Sequence, residues 1–580
     1  MLVQSALEMA SIALILPVID IAITPGRLEK YGPIADVLRM AGFSDPRAAT
    51  IVLAAGLIAL FIGKNLLLFF VLWTQNSVNQ SLQYDFRTRL LSGYLRQPYA
   101  RALRQNSAHV VRNLFNSSPA IFANGVMGLF VVILEVLIVA AIGTVLVLVE
   151  PVGTLICAGL VGAIAAGYLV FSRTRIVAWG RRSDNLNGRM MRTVNEALGT
   201  VKEIKLRRCE PYFVNAFLRD SMEAAAIRVR LSMNGVAPRP VGEIVLVIAV
   251  MAVISAMMTI ETRTFGEIVP VLTIFAAAGI RIMPSAARIV AGINNVREAR
   301  GPLENVLRDY RAFPPAPAEA GATAETARDG SRFRNAISFE NLTFRYEEAA
   351  QDALSELSLT IRKGESVAFV GPTGAGKSTL VDVMMGLLAP TRGAVKADGR
   401  DIRDDLPAWQ RGIGYVPQVI VLIDDTIRRN IAFGVSDDRI DDARVWHAAK
   451  VAQIEDFIRS LPDGLDTAVG ERGARISGGQ RQRIGIARAL YHDPEILVMD
   501  EATSSLDVLT EHQFAQAIEA VRGEKTLIVI AHRLSTVRKC DRIFMLEGGK
   551  IVASGTFDHV AATHPGLARM VEIDTEVAAG

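Results

Sequence analysis

Residues 365–388 read ESVAFVGPTGAGKSTLVDVMMGLL. The apolar run Val367–Val370 ends in Gly371-xxxx-Gly376-Lys377-Ser378, and a helical pattern follows. This is the order strand, phosphate-binding loop, helix. Glycines let backbone N–H groups curl around phosphate oxygens, and the helix N-terminus adds a favourable dipole. The residues expected to hold nucleotide are therefore Gly371, Thr373, Gly374, Ala375, Gly376, Lys377, Ser378 and Thr379. Lys377 is expected to reach the outer phosphates and Ser378 to hold Mg²⁺.

The second acidic element expected behind such a loop is ILVMDE, 496–501. It is an apolar strand ending in Asp500, expected to hold Mg²⁺, and Glu501, expected to polarise the attacking water. Between the two lies ARISGGQRQRIGIARAL, 474–490, where Ser477, Gly478, Gly479 and Gln480 open an arginine-flanked helix. A serine and two glycines at a helix start make another phosphate-binding terminus. One chain would then carry two phosphate-binding helix ends, more than a single nucleotide requires.

The rest of the chain has a different composition. Of 580 residues, 51% are hydrophobic, and the mean hydropathy is +0.30. The apolar excess lies in the first half. Six apolar segments can be drawn at roughly 1–24, 49–73, 121–149, 152–172, 241–260 and 266–293, each near the ~20 residues a helix needs to span hydrocarbon. The start has no basic region and reads as a retained span, with the true start of that helix expected further upstream. The connectors SVNQ…RNLF (77–115) and SRTR…SMNG (172–235) keep helical character and are rich in arginine, whereas Glu150–Pro151 and Glu261–Thr264 read as tight turns. Long helices on one side and short turns on the other predict spans that continue into the cytoplasm, and the basic side agrees with that orientation. In the 25–48 loop, Ile34, Val37 and Leu38 fall on one face of a possible short helix at the outer interface.

After Tyr310, FPPAPAEAGATAETARDGSR (313–332) reads as a linker. The expected domains are 1–310 (membrane), 311–334 (linker) and 335–580 (α/β nucleotide-binding). A net charge of +4 offers no argument for nucleic acid, and Cys157, Cys209 and Cys540 are too dispersed for a disulfide framework or a common zinc site.

Taken together, these motifs resemble the ATP-binding cassette (ABC) exporters, specifically half-transporters in which one six-helix membrane domain is fused to one P-loop nucleotide-binding domain. The resemblance covers essentially the whole chain. It implies ATP and Mg²⁺ as cofactors and a second copy of the chain, because in that family the signature of one subunit closes on ATP held by the other. Tyr346 in FRYEE matches the aromatic that stacks on adenine, and Gln418 in GYVPQ matches the glutamine that senses Mg²⁺ and the membrane domain. Ser477 and Gly479 match the signature residues that contact the γ-phosphate in trans. Asp507 in SSLD matches the D-loop, His532 in IAHRLS matches the switch histidine, and GERG (470–473) matches the loop beside the signature. ISGGQ replaces the commoner LSGGQ, and SSLD replaces SALD. Neither change removes a group with a chemical task.

Charge inside the apolar spans is costly, about 2.5–3.5 kcal/mol at mid-membrane, so Glu8, Glu135, Glu243 and Arg281 are candidates for function. Glu135 and Arg281, counted inward from the outer turns, both fall ~21–23 Å down and are expected to share a layer and pair. Arg281 and Arg288 lie seven apart, on one helix face, with Pro284 between them expected to kink or loosen the span. Two roles are open: an internal ion pair, or a grip on an anionic headgroup, for which guanidinium suits phosphate. RIMPSAARI (281–289), EMASIALILPVI (8–19) and the short outer helix resemble bacterial lipid-linked oligosaccharide flippases. That resemblance implies a polyprenyl-diphosphate glycan as cargo, in the bacterial cytoplasmic membrane. The alternatives are a broad drug or lipid A-like exporter and, in another class, an ATP-gated channel or regulatory subunit.

Overall fold

The computed structural model describes residues 2–15, 18, 21, 31–32, 36, 38, 40, 46–259, 265–314, 333–347, 349–500, 516, 519, 521–531, 534–569 and 571. The chain divides into two compact units, one of Met1–Gln97 with Arg101–Ala316 and one of Pro98–Ala100 with Pro317–Gly580.

The first unit is helical. Its main helices are α1 (Leu2–Ala13), α2 (Pro46–Leu95), α3 (Met127–Val149), α4 (Pro151–Gly199), α5 (Glu210–Val236), α6 (Pro238–Thr259), α7 (Phe265–Glu298) and α8 (Arg300–Tyr310). Among the described residues, four helical stretches are long and apolar enough to cross a membrane: Thr50–Leu95, Ser107–Leu148, Pro151–Gly199 and Phe275–Tyr310. The segments expected first and fifth correspond to α1 and α6. At ~1.5 Å per residue, α2 with 50 residues and α4 with 49 are each more than twice as long as hydrocarbon is thick. The turn at Glu150 is as tight as its sequence suggests: Glu150 is extended (φ −150°, ψ 91°) and Pro151 opens α4. The turn at 261–264 and most of the 25–48 loop, including Ile34 and Val37, lie outside the described residues. Leu38 is buried with Ile21 against Tyr31, Val52 and Leu53.

α3 buries one stripe, Leu134, Ile138, Ile142 and Leu146, against Ala278 and Ile282 of α7. The spacing of four keeps those side chains on one helix face. The two helices cross where neither has a side chain. A Cβ on Gly292 would lie 2.8 Å from Val132 Cγ2 and 2.9 Å from the Gly128 carbonyl oxygen, and one on Gly128 would lie 2.9 Å from the Gly292 carbonyl oxygen. Small residues at a crossing let membrane helices approach closely. Ahead of α3 the chain is helical from Ser107, with π-helical runs at Asn113–Ser117 and Ile121–Val126 on either side of Ser118–Ala120. Pro119 removes one donor from that ladder, and the wider π turns flank it. Pro284, in contrast, does not break α7, which continues to Glu298. One missing N–H costs a single ladder bond, and packing against α3 on both sides of it holds the helix.

The second unit carries two sheets. The first is antiparallel, with β1 (Ala336–Phe344), β2 (Leu354–Arg362), β4 (Arg392–Ala397) and β5 (Arg400–Asp401) in the order β2-β1-β4-β5. The second contains β3 (Ser366–Val370), β6 (Ile413–Val416), β7 (Ile496–Asp500), β8 (Thr526–Ile530), β9 (Arg542–Glu547) and β10 (Lys550–Gly555), in the order β10-β9-β3-β8-β7-β6. It is parallel except for β10. All five residues of β3 are buried, as a strand covered on both faces requires. Helices α9 (Lys377–Met384), α10 (Asp442–Val451) and α11 (Gly478–Leu490) pack on this frame.

The α3–α7 crossing makes a testable demand. Gly292→Val overpacks it, which costs about 1–3 kcal/mol, so the thermal unfolding midpoint of the purified protein should fall by several degrees. Gly143→Ala, where a Cβ meets nothing within 4 Å, should leave the midpoint unchanged.

Candidate functional site

The phosphate loop owes its shape to three glycines. Gly371, Gly374 and Gly376 have φ of 152°, 81° and 99°. A Cβ on Gly371 would meet the Leu546 carbonyl oxygen at 2.1 Å, and one on Gly376 the Ala353 carbonyl oxygen at 2.7 Å. No other residue type fits those two positions. Lys377 opens α9, is 6% exposed, and donates from Nζ to the carbonyls of Gly371 (2.7 Å) and Pro372 (3.1 Å). Its ammonium is therefore curled into the loop it serves. Tyr346 stands edge-on to Phe344, and its hydroxyl lies 3.1 Å from Thr379 Oγ1. A tyrosine far ahead of the loop is thereby brought against the helix that the loop starts.

Strand register brings the acidic element to the same edge. Asp500 is level with Ile530 on β8, and Ile530 with Phe369 on β3, two residues before Gly371. At ~4.8 Å per strand, Asp500 stands about 10 Å from β3. Tyr415 on β6 hydrogen-bonds Asp500, and its phenol is held above its ordinary value by burial and by that carboxylate. Asp382, on α9, is pushed up to about 6 by burial and by the charge of Asp500. Asp382 and Asp500 thus share one partly buried site. Ser378, four residues before Asp382, lies on the same face of α9, and carboxylate and hydroxyl oxygens are donors that suit Mg²⁺. Glu501, Asp507 and His532 lie outside the described residues.

The signature residues are placed elsewhere. Ser477 caps α11 with a reciprocal pair: the Gln480 backbone N–H donates to Ser477 Oγ (3.3 Å), and the Ser477 N–H donates to Gln480 Oε1 (2.9 Å). Gln480 thus has a structural task within the chain. α11 packs against β6, where a Cβ on Gly414 would meet the Ala489 carbonyl oxygen at 2.6 Å. β6 is three strand positions from β3, about 14 Å. Ser477 and Gly478 are exposed at the helix start, so they are open to another molecule.

In the membrane unit the buried charges pair differently from the sequence expectation. Glu135 does not meet Arg281. It accepts from Arg288 instead, at 2.5 Å to Nε and 3.3 Å to Nη2. The reason is the crossing of α3 and α7. With Val132 against Gly292, the antiparallel register brings Glu135 opposite the turn at 285–289, which depth counted from the outer ends missed. Arg281 forms an ion pair with Glu8 of α1, and Glu8 also lies 3.3 Å from Lys64 Nζ of α2. Lys64 donates to Ser11 Oγ (3.1 Å) and lies over the Phe61 ring. Glu8, Glu135 and Lys64 are buried, whereas the Arg281 and Arg288 side chains are 25% and 43% exposed. Glu243 is not a buried charge: it is exposed on α6 and pairs with Arg239 of its own helix. Lys64 escaped the sequence reading, although it is the sole cation in the apolar run 49–73. This set holds three cations against two acids.

With the geometry in hand, residues 354–504 match the family model described as ABC transporter. The ATP-dependent lipid A-core flippase of Alkalilimnicola ehrlichii is 30% identical over 517 residues, 88% of this chain and 85% of that protein. The chain belongs to the ABC transporter family. Proteins of the same description from Ralstonia nicotianae and Cupriavidus metallidurans are 36% and 34% identical, over 66% and 70% of this chain. The Ralstonia match spans 64% of that relative's length. A solved bacterial Atm1-family ABC exporter with ATP bound superposes with a TM-score of 0.73, at 25% identity, over 99% of this chain and 97% of its own. The ABC transporter fold thus runs through both units, with an apolar helical N-terminal part and the ATPase domain of the family behind it.

The cap on α11 separates stability from chemistry in this ABC transporter. Ser477→Ala loses the cap, about 1 kcal/mol, and should lower the thermal midpoint by a few degrees. Ser477→Asp keeps a capping oxygen but adds negative charge where phosphate is expected. Its midpoint should hold, while ATP turnover should fall at least about tenfold.

Proposed function

We propose that the chain is an ATP-driven exporter that works as a homodimer in the bacterial cytoplasmic membrane and moves an anionic, sugar-bearing lipid outward. The observation that carries the cargo class is the membrane cluster. Lys64, Arg281 and Arg288 outnumber Glu8 and Glu135, and both arginines remain partly exposed while paired. A surplus cation among apolar helices favours an anion, and guanidinium binds phosphate in bidentate fashion. An apolar cavity of about 370 Å³ between α3, α4, α6 and α7, lined by residues such as Val139, Ile164, Val245 and Phe275, suits the hydrocarbon part of an amphiphile.

ATP is taken up by Tyr346, the phosphate loop and Lys377, with Ser378, Asp500 and Gln418 holding Mg²⁺. When held there, the ion would supply charge neutralisation at the phosphates. Glu501 polarises the attacking water, His532 senses the γ-phosphate and Asp507 lines the dimer seam. Ser477, Gly478 and Gly479 of the second copy close on the phosphates, a role supported by the exposure of Ser477 and Gly478. The relatives described as lipid A-core flippases favour a lipid A-like cargo. The RIMPSAARI motif keeps a polyprenyl-diphosphate glycan as the second reading.

The test is reconstitution of the full-length protein into vesicles, with ATP-dependent movement of lipid A and of a polyprenyl-diphosphate glycan measured side by side. Lipid A should move and should stimulate ATP turnover, and Arg281→Ala and Arg288→Ala should each reduce that stimulation at least about tenfold. No movement of either lipid, or arginine variants indistinguishable from the parent protein, would overturn the proposal.

A further inference from the structure

A second cavity, of about 580 Å³, lies further along the same helices. Its walls come from the π-helical stretch before α3, from α4, from α5 and from the end of α7. Its volume falls within the ~300–1,000 Å³ of small-ligand sites, and its lining is polar. Four carboxamides face it, Asn116, Asn124, Asn187 and Asn295, together with Arg228 and Glu298. Among the described residues, the side chains of Asn116, Asn187 and Asn295 make no hydrogen bond within the chain, although each is partly buried. Asn124 Nδ2 donates to Glu298 Oε1 at 3.4 Å.

The neighbouring polar groups behave otherwise. Asp184, in the same wall, is saturated from within: it accepts from Ser117 (2.9 Å) and Asn305 (2.7 Å) and faces Arg112 at 3.9 Å. Asp184 is therefore paired, as buried groups usually are, whereas three of the four carboxamides turned to the cavity make no hydrogen bond within the chain. A carboxamide offers both donors and an acceptor, the arrangement that matches hydroxyl groups bearing one of each. Arg228 and Glu298 add charge-assisted partners, and Phe115 adds an apolar ring face at the rim. Gly235 keeps the α5 wall open, since a Cβ there would meet nothing within 4 Å.

We infer that this cavity is a loading site for the sugar headgroup of the transported lipid, with Asn116, Asn124, Asn187, Asn295, Arg228 and Glu298 reading its hydroxyls. The inference rests on the glycolipid reading above. α7 carries both stations: Asn295 follows Arg288 by seven residues, about 10.5 Å along the helix. A headgroup seated here has its phosphate within a short axial step of the charged cluster. Sugar recognition and phosphate recognition thus fall on different groups.

The experiment uses the full-length protein in nanodiscs and reads the lipid A concentration giving half-maximal stimulation of ATP turnover. Gly235→Leu, which fills the cavity, should raise that concentration at least about tenfold. Asn187→Ala removes one reader that has no intrachain partner, so it should fold normally and raise the concentration about threefold or more. Basal turnover should stay within about twofold in both. The deacylated lipid A disaccharide, added as competitor, separates the two sources of the same chemistry: competition means the cavity binds the sugar by itself, and its absence with both variants impaired means the sugar is presented by the membrane lipid. Phosphatidylglycerol, an anion without a sugar ring, should act equally on all three proteins. If lipid A stimulates the parent protein and both variants respond within about twofold of it, the loading site is overturned and the function stands. If neither lipid A nor the polyprenyl-diphosphate glycan stimulates the parent protein, the glycolipid reading falls, and this inference with it.

Discussion

Charge inside a membrane bundle has to be neutralised by something, and in this chain that requirement ties the helices together. Glu8 of α1 is shared by Lys64 of α2 and Arg281 of α7, and Glu135 of α3 holds Arg288 of α7. Each pair costs desolvation that its Coulomb attraction only partly offsets. Such pairs are poor devices for stability alone, and intramembrane ionisable groups mark function by default. The close approach of α3 and α7 at Gly128 and Gly292 sets which acid meets which arginine. Pairing and helix packing therefore depend on one crossing.

The phosphate loop, the acidic strand end and the signature helix were legible in the sequence because their chemistry is local. Loop, cap and strand end each occupy a few consecutive residues, and backbone geometry follows from the glycines and the serine themselves. Six apolar segments were legible for the same reason: hydropathy needs no partner. The pairing of charges was not, because it depends on the axial register of helices far apart in sequence. Glu135 and Arg281 lie at equal depth by counting, yet a crossing fixed by Gly128, Val132 and Gly292 moves the partner seven residues along α7. Lys64 was invisible for a related reason. One lysine inside the apolar run 49–73 carries no sign of its partner until Glu8 and Ser11 are seen against it. The four asparagines of the second cavity are scattered over nearly 180 residues, and only the fold assembles them.

Under the proposed function, the recognition groups of the membrane unit follow one another along α7. Glu298 and Asn295 stand in the polar cavity, Arg288 follows two turns on, and Arg281 two turns further. An amphiphile with sugar, phosphate and hydrocarbon presents its groups in an order that this helix can follow. On that reading the internal acids would keep the arginines neutralised between cargo molecules, so the charged layer need not stay solvated while it is empty of lipid. In this account Arg288 has two partners in turn, Glu135 and the headgroup.

The most direct measurement is a charge swap at that pair. Glu135→Arg and Arg288→Glu, combined in one full-length protein, preserve the ion pair but move the cation from α7 to α3. The account predicts a thermal midpoint close to that of the parent protein, above either single variant, with lipid-stimulated ATP turnover still lost. Recovery of both stability and stimulated turnover in the swapped protein would show that the pair only holds the bundle together, and would contradict the account.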